Sequence, residues 1–169
     1  MLICVVVGSD SDKPVLAKSD ALKVLDKCGI LYEASVISAE RNPGALNDLC
    51  DQMIQKGVRA FIAGAGRSAR LPGNIAAKTK YRIPVIGVAL TSPEFPDALD
   101  AMLSIARSPS GCPVILAGIG DSGFTNAAMI AVQILADGED EESCRIKTLY
   151  LAYRQSILIK PEGPFATNK

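Results

Sequence analysis

The stretch Gly8-Ser9-Asp10-Ser11-Asp12 gathers backbone amides, two hydroxyls and two carboxylates within one short segment. Serine hydroxyls beside a flexible glycine at a helix start are donors for a phosphate, and a carboxylate close behind them suits ribose hydroxyls. Ser9 and Ser11 are therefore candidate phosphate donors and Asp12 a candidate ribose ligand. The same residues also suit a plain turn with Ser11 or Asp12 as the helix cap. A second segment sets Glu40 beside Arg41 just before Pro43. Arg41 is placed to add a charged donor to the same phosphate, or simply to pair with Glu40 on the surface. The third is Gly64-Ala65-Gly66-Arg67-Ser68-Ala69-Arg70-Leu71-Pro72-Gly73, with more glycine than a turn requires. Glycine at that density points to close backbone approach by a ligand or another chain, and Arg67 and Arg70 make the segment cationic. Residues 118–123 repeat the small-residue theme. Together these segments point to one anionic small molecule, a phosphorylated metabolite or mononucleotide.

The composition narrows the chemistry available. The chain has 169 residues, no histidine and no tryptophan. Without imidazole there is no Ser-His-Asp or Cys-His nucleophile, no histidine-bearing zinc site and no ordinary proton carrier near neutral pH. The five cysteines, at 4, 28, 50, 112 and 144, are dispersed and form no C-x-x-C pair. Most lie in apolar stretches, as expected of reduced, buried thiols in a cytoplasmic protein. Lys and Arg number 18 against 18 Asp and Glu, so charge gives no argument for nucleic acid or an anionic membrane. Four Phe and four Tyr provide no stacking surface for single-stranded nucleic acid. The chain starts on the apolar run Leu2–Val7, far short of a membrane span and without a leader pattern.

The elements that must hold these loops alternate along the chain. Apolar runs predict strands at 2–7, 31–37, 60–63, 85–88 and 114–117. Helical spacing predicts one helix closing at Cys28-Gly29 and another from Pro43 to Lys56-Gly57. Others are predicted through Lys78, over 97–106 and from Asn126 to Ala136. Strands apolar on both faces, each followed by a helix, predict a parallel five-stranded sheet in a three-layer α/β/α sandwich, flavodoxin-like in form. In such sheets ligands bind at the carboxyl ends of the strands, where the glycine- and hydroxyl-rich loops fall. The expectation is a single domain over 1–169, with its core in 1–136. After an acidic run at 137–142, residues 143–157 predict a further helix with Ile146, Leu149, Tyr150, Tyr153 and Ile157 on one face. That face packs either on its own domain or across a subunit interface.

Four ordered segments, Gly8–Asp12, Ser38-Ala39-Glu40-Arg41-Asn42-Pro43, Gly64-Ala65-Gly66 with Leu71-Pro72-Gly73-Asn74-Ile75-Ala76-Ala77-Lys78-Thr79, and Pro109-Ser110-Gly111-Cys112-Pro113-Val114, resemble the PurE family. That family comprises N5-carboxyaminoimidazole ribonucleotide mutases and aminoimidazole ribonucleotide carboxylases of purine biosynthesis. The resemblance runs from about residue 2 to 136. It implies a homo-octamer in which the last helix reaches a neighbouring subunit, and it implies no metal or organic cofactor. Gly8, Ser9, Ser11 and Arg41 would hold the phosphate and Asp12 the ribose. Ser38, Ala39, Gly64, Ala65, Gly66, Arg67, Ser68 and Leu71 would surround the base and the migrating carboxyl group, which passes through carbon dioxide. The family pattern has histidines at two positions that are Glu40 and Arg70 here. The first of these histidines shuttles the proton at C4 of the ring, so Glu40 becomes the candidate catalytic acid–base and Arg70 its companion. Arg67-Ser68 resembles the carboxylase class, whereas Leu71-Pro72-Gly73 resembles the mutases. The two replacements leave two other outcomes open: a relative acting on another carboxylated nucleotide, or a nucleotide-binding protein without catalysis.

Overall fold

The computed structural model describes residues 1–158. Five strands form one parallel sheet: β1 (Leu2–Val7), β2 (Leu31–Val36), β3 (Val58–Gly66), β4 (Val85–Leu90) and β5 (Ile115–Ile119). Their spatial order is β2-β1-β3-β4-β5. This is the flavodoxin-like order, with its switch point between β1 and β3. Side chains alternate across the sheet, so β1 sends Ile3, Val5 and Val7 to one face and Cys4 and Val6 to the other. The first face is covered by α1 (Lys13–Lys18), α2 (Ala21–Lys27) and α6 (Gly120–Leu135), the second by α3 (Pro43–Gln55), α4 (Arg70–Lys78) and α5 (Leu99–Ala106). Cys4, Cys28 and Cys50 are buried in these layers. Burial pushes the Cys4 thiol up to about 12 and the Cys50 thiol up to about 11, far from a reactive thiolate.

Helix boundaries follow local chemistry where local chemistry is strong. Pro43 occupies the first turn of α3, and Gly57 follows its end at φ +77°. The helix expected to run unbroken to Cys28 is instead divided. Ser19 Oγ donates to Leu16 O at 2.7 Å and accepts from Ala21 N at 3.2 Å, while Asp20 N donates to Thr125 Oγ1 at 3.1 Å. Those hydroxyls take groups that a continuous helix would have paired internally.

Three further differences matter for the site. Strand β3 runs on to Gly66, so part of the glycine-rich segment is sheet rather than loop. Strands β2 and β5 lie at the sheet edges, and they are not fully buried on both faces. Helix α6 begins at Gly120, six residues before Asn126, which makes the 118–123 segment a strand-to-helix junction. A Cβ on Gly123 would lie 2.7 Å from the carbonyl carbon of Gly118 and 2.8 Å from Val88 Cγ1, so its smallness serves packing.

The last helix, α7, spans Glu141–Ile157. Asp140 caps it, accepting from Ser143 N at 3.0 Å and Ser143 Oγ at 2.7 Å, and those bonds hold its carboxyl below the usual range. Ile146 and Tyr153 are buried and Tyr150 partly so, all against the core of the same chain, so this part of the apolar face packs on its own domain. Leu151, Ile157 and Leu158 stay exposed. The rest of the tail, 159–169, lies outside the described residues.

Candidate functional site

At the carboxyl end of the sheet the chain surrounds a cleft of about 1010 Å³. It forms where β1 and β3 send their following segments to opposite faces, which is where an open parallel sheet leaves a crevice. The loop after β1 supplies Gly8, Ser9, Ser11 and Asp12. Gly8 N donates to Gly64 O at 3.1 Å, tying this loop to β3, and the Ser9 and Ser11 hydroxyls are 3.0 Å apart. Asp12 is half-buried, and burial raises its carboxyl above the usual value. Hydrogen bonds from Ser9, Ser11 and Gly8, and the charge of Arg41, only partly oppose that rise. Asp10 pairs with Lys13 at 2.6 Å and lines a smaller recess beside the cleft.

The loop after β2 brings Ser38, Ala39, Glu40 and Arg41 to the same cleft. Ser38 Oγ accepts from Arg41 N at 3.1 Å, a short turn that fixes the arginine's backbone. Arg41 also lines a smaller adjoining recess of about 420 Å³ with Gly8, Ser9 and Asn42. Arg41 forms no ion pair among the described residues, although the carboxyls of Asp10 and Asp12 lie close enough to feel its charge.

The segment after β3 contributes Ala65, Gly66, Arg67, Ser68, Arg70 and Leu71. Arg67 at φ +53° and Ala69 at φ +35° are left-handed, a conformation that side chains rarely adopt. Both arginines carry a partner. Arg70 Nη1 lies 3.2 Å from Glu40 Oε1, and Arg67 Nη2 lies 2.8 Å from Glu94 Oε1. The first pair joins the two positions where histidines were expected, and both of its members line the cleft.

One expected residue falls elsewhere. Gly64 does not line the cleft: a Cβ there would meet Phe124 Cζ at 2.3 Å, so the glycine admits a buried ring behind the site. Conversely, the loop after β4 was not singled out from the sequence, yet Thr91, Ser92, Pro93 and Pro96 form one wall. Its run of Thr, Ser and Pro directly after a strand was the available signal. The 118–123 junction, placed among the ligand loops by its composition, forms none of the lining. Among the described residues no cluster of cysteine and acidic side chains is placed to hold a metal ion.

A flavodoxin-like sheet with a cleft of hydroxyls and arginine at its switch point defines an α/β protein whose crevice lies at the strand ends, where open parallel sheets take ligands. Comparison with known proteins sharpens that class. The family described as AIR carboxylase matches residues 2–155, and the chain belongs to it. The N5-carboxyaminoimidazole ribonucleotide mutase of Pseudomonas aeruginosa is 37% identical over 161 residues, covering 95% of this chain and 96% of that protein. The phosphoribosylaminoimidazole carboxylase of Saccharomyces cerevisiae is 35% identical over 161 residues, covering 95% of this chain but only 27% of that protein. The crystal structure of Treponema denticola PurE has the same fold, with a TM-score of 0.73 at 24% identity over 92% of this chain and 93% of that one.

Proposed function

We propose that this chain moves a carboxyl group on aminoimidazole ribonucleotide, as an N5-carboxyaminoimidazole ribonucleotide mutase or an aminoimidazole ribonucleotide carboxylase, with Glu40 carrying the proton. The observation that carries this reading is the cleft itself. In a chain of the AIR carboxylase family, Ser9, Ser11, Asp12 and Arg41 line one cleft together with Glu40 and Arg70. The hydroxyls and Arg41 take the phosphate, Asp12 takes the ribose, and the ring then points toward Ala39, Gly66 and Glu40.

The chemistry asks little else of the protein. In the mutase reaction the N5–carboxyl bond breaks, its electron pair stays on nitrogen, and nitrogen takes a proton. The released carbon dioxide is attacked by C4, which then loses its own proton. The net change is one carboxyl and one proton moved on the same ring. The carboxylase reaction is the second half alone, with carbon dioxide from solution and the C4 proton passed on to solvent. Glu40, a carboxylate in its ion pair with Arg70, is an acceptor suited to the C4 deprotonation that both reactions share. Ala39, Ala65 and Leu71 supply apolar wall against which carbon dioxide is held.

The test is direct. Purified protein should consume N5-carboxyaminoimidazole ribonucleotide faster than its spontaneous decay, or carboxylate aminoimidazole ribonucleotide in bicarbonate. Glu40→Gln should slow turnover by about a hundredfold or more while affinity for uncarboxylated aminoimidazole ribonucleotide holds. No acceleration in either direction between about pH 5.5 and about pH 8.5 overturns the reading. One observation favours a second reading, action on a different carboxylated nucleotide: Glu40 and Arg70, at the two positions where the resemblance implies histidines, form an ion pair with each other. Failure to bind aminoimidazole ribonucleotide would shift weight to it, whereas tight binding without turnover points to a nucleotide-binding protein without catalysis. We also place the protein in the cytoplasm as a homo-octamer. No helix among the described residues is long and apolar enough to cross a membrane.

A further inference from the structure

The three arginines of the cleft are not equivalent. Arg41, the proposed phosphate ligand, forms no ion pair among the described residues, whereas Arg67 and Arg70 each form one. Glu94, the partner of Arg67, does not line the cleft, so that pair braces the lip between two loops. The Glu40–Arg70 pair is different: both members line the cavity, from the loops after β2 and β3. Both side chains are well exposed, at 61% and 66%. An exposed ion pair is weak, because water and salt solvate the separated charges nearly as well. A second carboxylate entering the cleft can therefore replace Glu40 on Arg70 at little cost. A nucleotide anchored by its phosphate brings any ring carboxylate in at high effective concentration.

We propose that Arg70 selects for the carboxylated nucleotide by exchanging partners: it holds Glu40 while the ring is uncarboxylated and takes the ring carboxylate once that group is present. The inference rests on the proposed function, and it assigns Arg70 a specificity role distinct from proton transfer. When Arg70 turns to the ligand, Glu40 is released as an unpaired carboxylate beside the ring. When the carboxyl group leaves, Glu40 returns and the cleft is again neutral at that end. The device gives the site a way to hold a doubly anionic ligand, phosphate plus carboxylate, despite the acidic side chain at position 40.

Calorimetry on the full chain tests this with two probes, aminoimidazole ribonucleotide and its 4-carboxy derivative, read as the ratio of their affinities. Arg70→Gln should weaken the carboxylated nucleotide about tenfold and leave the uncarboxylated one within about twofold. Glu40→Gln should favour the carboxylated nucleotide, since Arg70 is then free. In the double variant that gain should vanish, because there is no arginine left to release. A gain that persists in the double variant means simple repulsion by Glu40 and overturns the exchange. Discrimination lost in Arg67→Gln rather than in Arg70→Gln also overturns it. A parent protein that binds neither nucleotide overturns the proposed function and this inference with it. Binding of both with no effect at position 70 overturns the inference alone.

Discussion

Asp12, the proposed ribose ligand, is held at a cost. Its carboxyl is raised above the ordinary value of 3.8 by burial beside the serines. Between that value and the raised one, the folded chain binds more protons than the unfolded chain, so stability falls as pH climbs through this window. Above the window the full penalty remains. Asp12→Asn carries no charge to bury, so its melting temperature relative to the parent should rise as pH climbs past the ordinary carboxylate value and level off once the buried carboxyl is ionised. Affinity for the nucleotide should fall in the same protein. A relative melting temperature that does not change with pH would mean that burial of the charge is not what raises this carboxyl. Glu40 presents the opposite case: well exposed and paired, it carries no such burden, and its substitution should register in turnover rather than in stability.

At the scale of elements, the end of β3 joins the core to the site. Gly64 lies with Phe124 of α6 where its side chain would be and Leu90 of β4 alongside, and its carbonyl receives the Gly8 amide. Gly64→Ala should destabilise the chain by about 1–3 kcal/mol in thermal or urea unfolding, since the buried ring has no room to retreat. Loss of nucleotide affinity should accompany it through the Gly8 contact. Adding Phe124→Leu, which shortens the side chain opposite, should restore part of both. This pairing also shows what the sequence makes legible. Strands and helix ends such as Pro43 and Gly57 could be read because their causes are local: apolar period, fixed φ, left-handed turns. Of the glycine-rich segment, Gly66 could be read as lining but Gly64 could not, because its reason is a phenylalanine 60 positions away. The break at Ser19-Asp20 depends on Thr125 in the same way. Thr91, Ser92, Pro93 and Pro96 carry a signal in following a strand, but which side of the cleft they wall is set by the neighbouring loops.

At the scale of the whole molecule, burial is uneven. Leu31 is 70% exposed and Leu151 58%, and the edge residues Ile115 and Ile119 also face outward. Apolar surface of this kind, on a chain whose own core is complete, fits contact with further copies. Light scattering on the purified protein should give the mass of an octamer. A monomer at micromolar concentration would remove the assembly from the proposed function without touching the cleft. The buried sulfurs have a separate consequence. Cys4, Cys28 and Cys50 are sealed between sheet and helices, while Cys144 stands in the open. An alkylating agent or peroxide reaches the three sealed sulfurs only when the sheet parts. Their consumption is therefore a clock for opening of the fold and not for thiol chemistry, set by the same packing that seats the cleft.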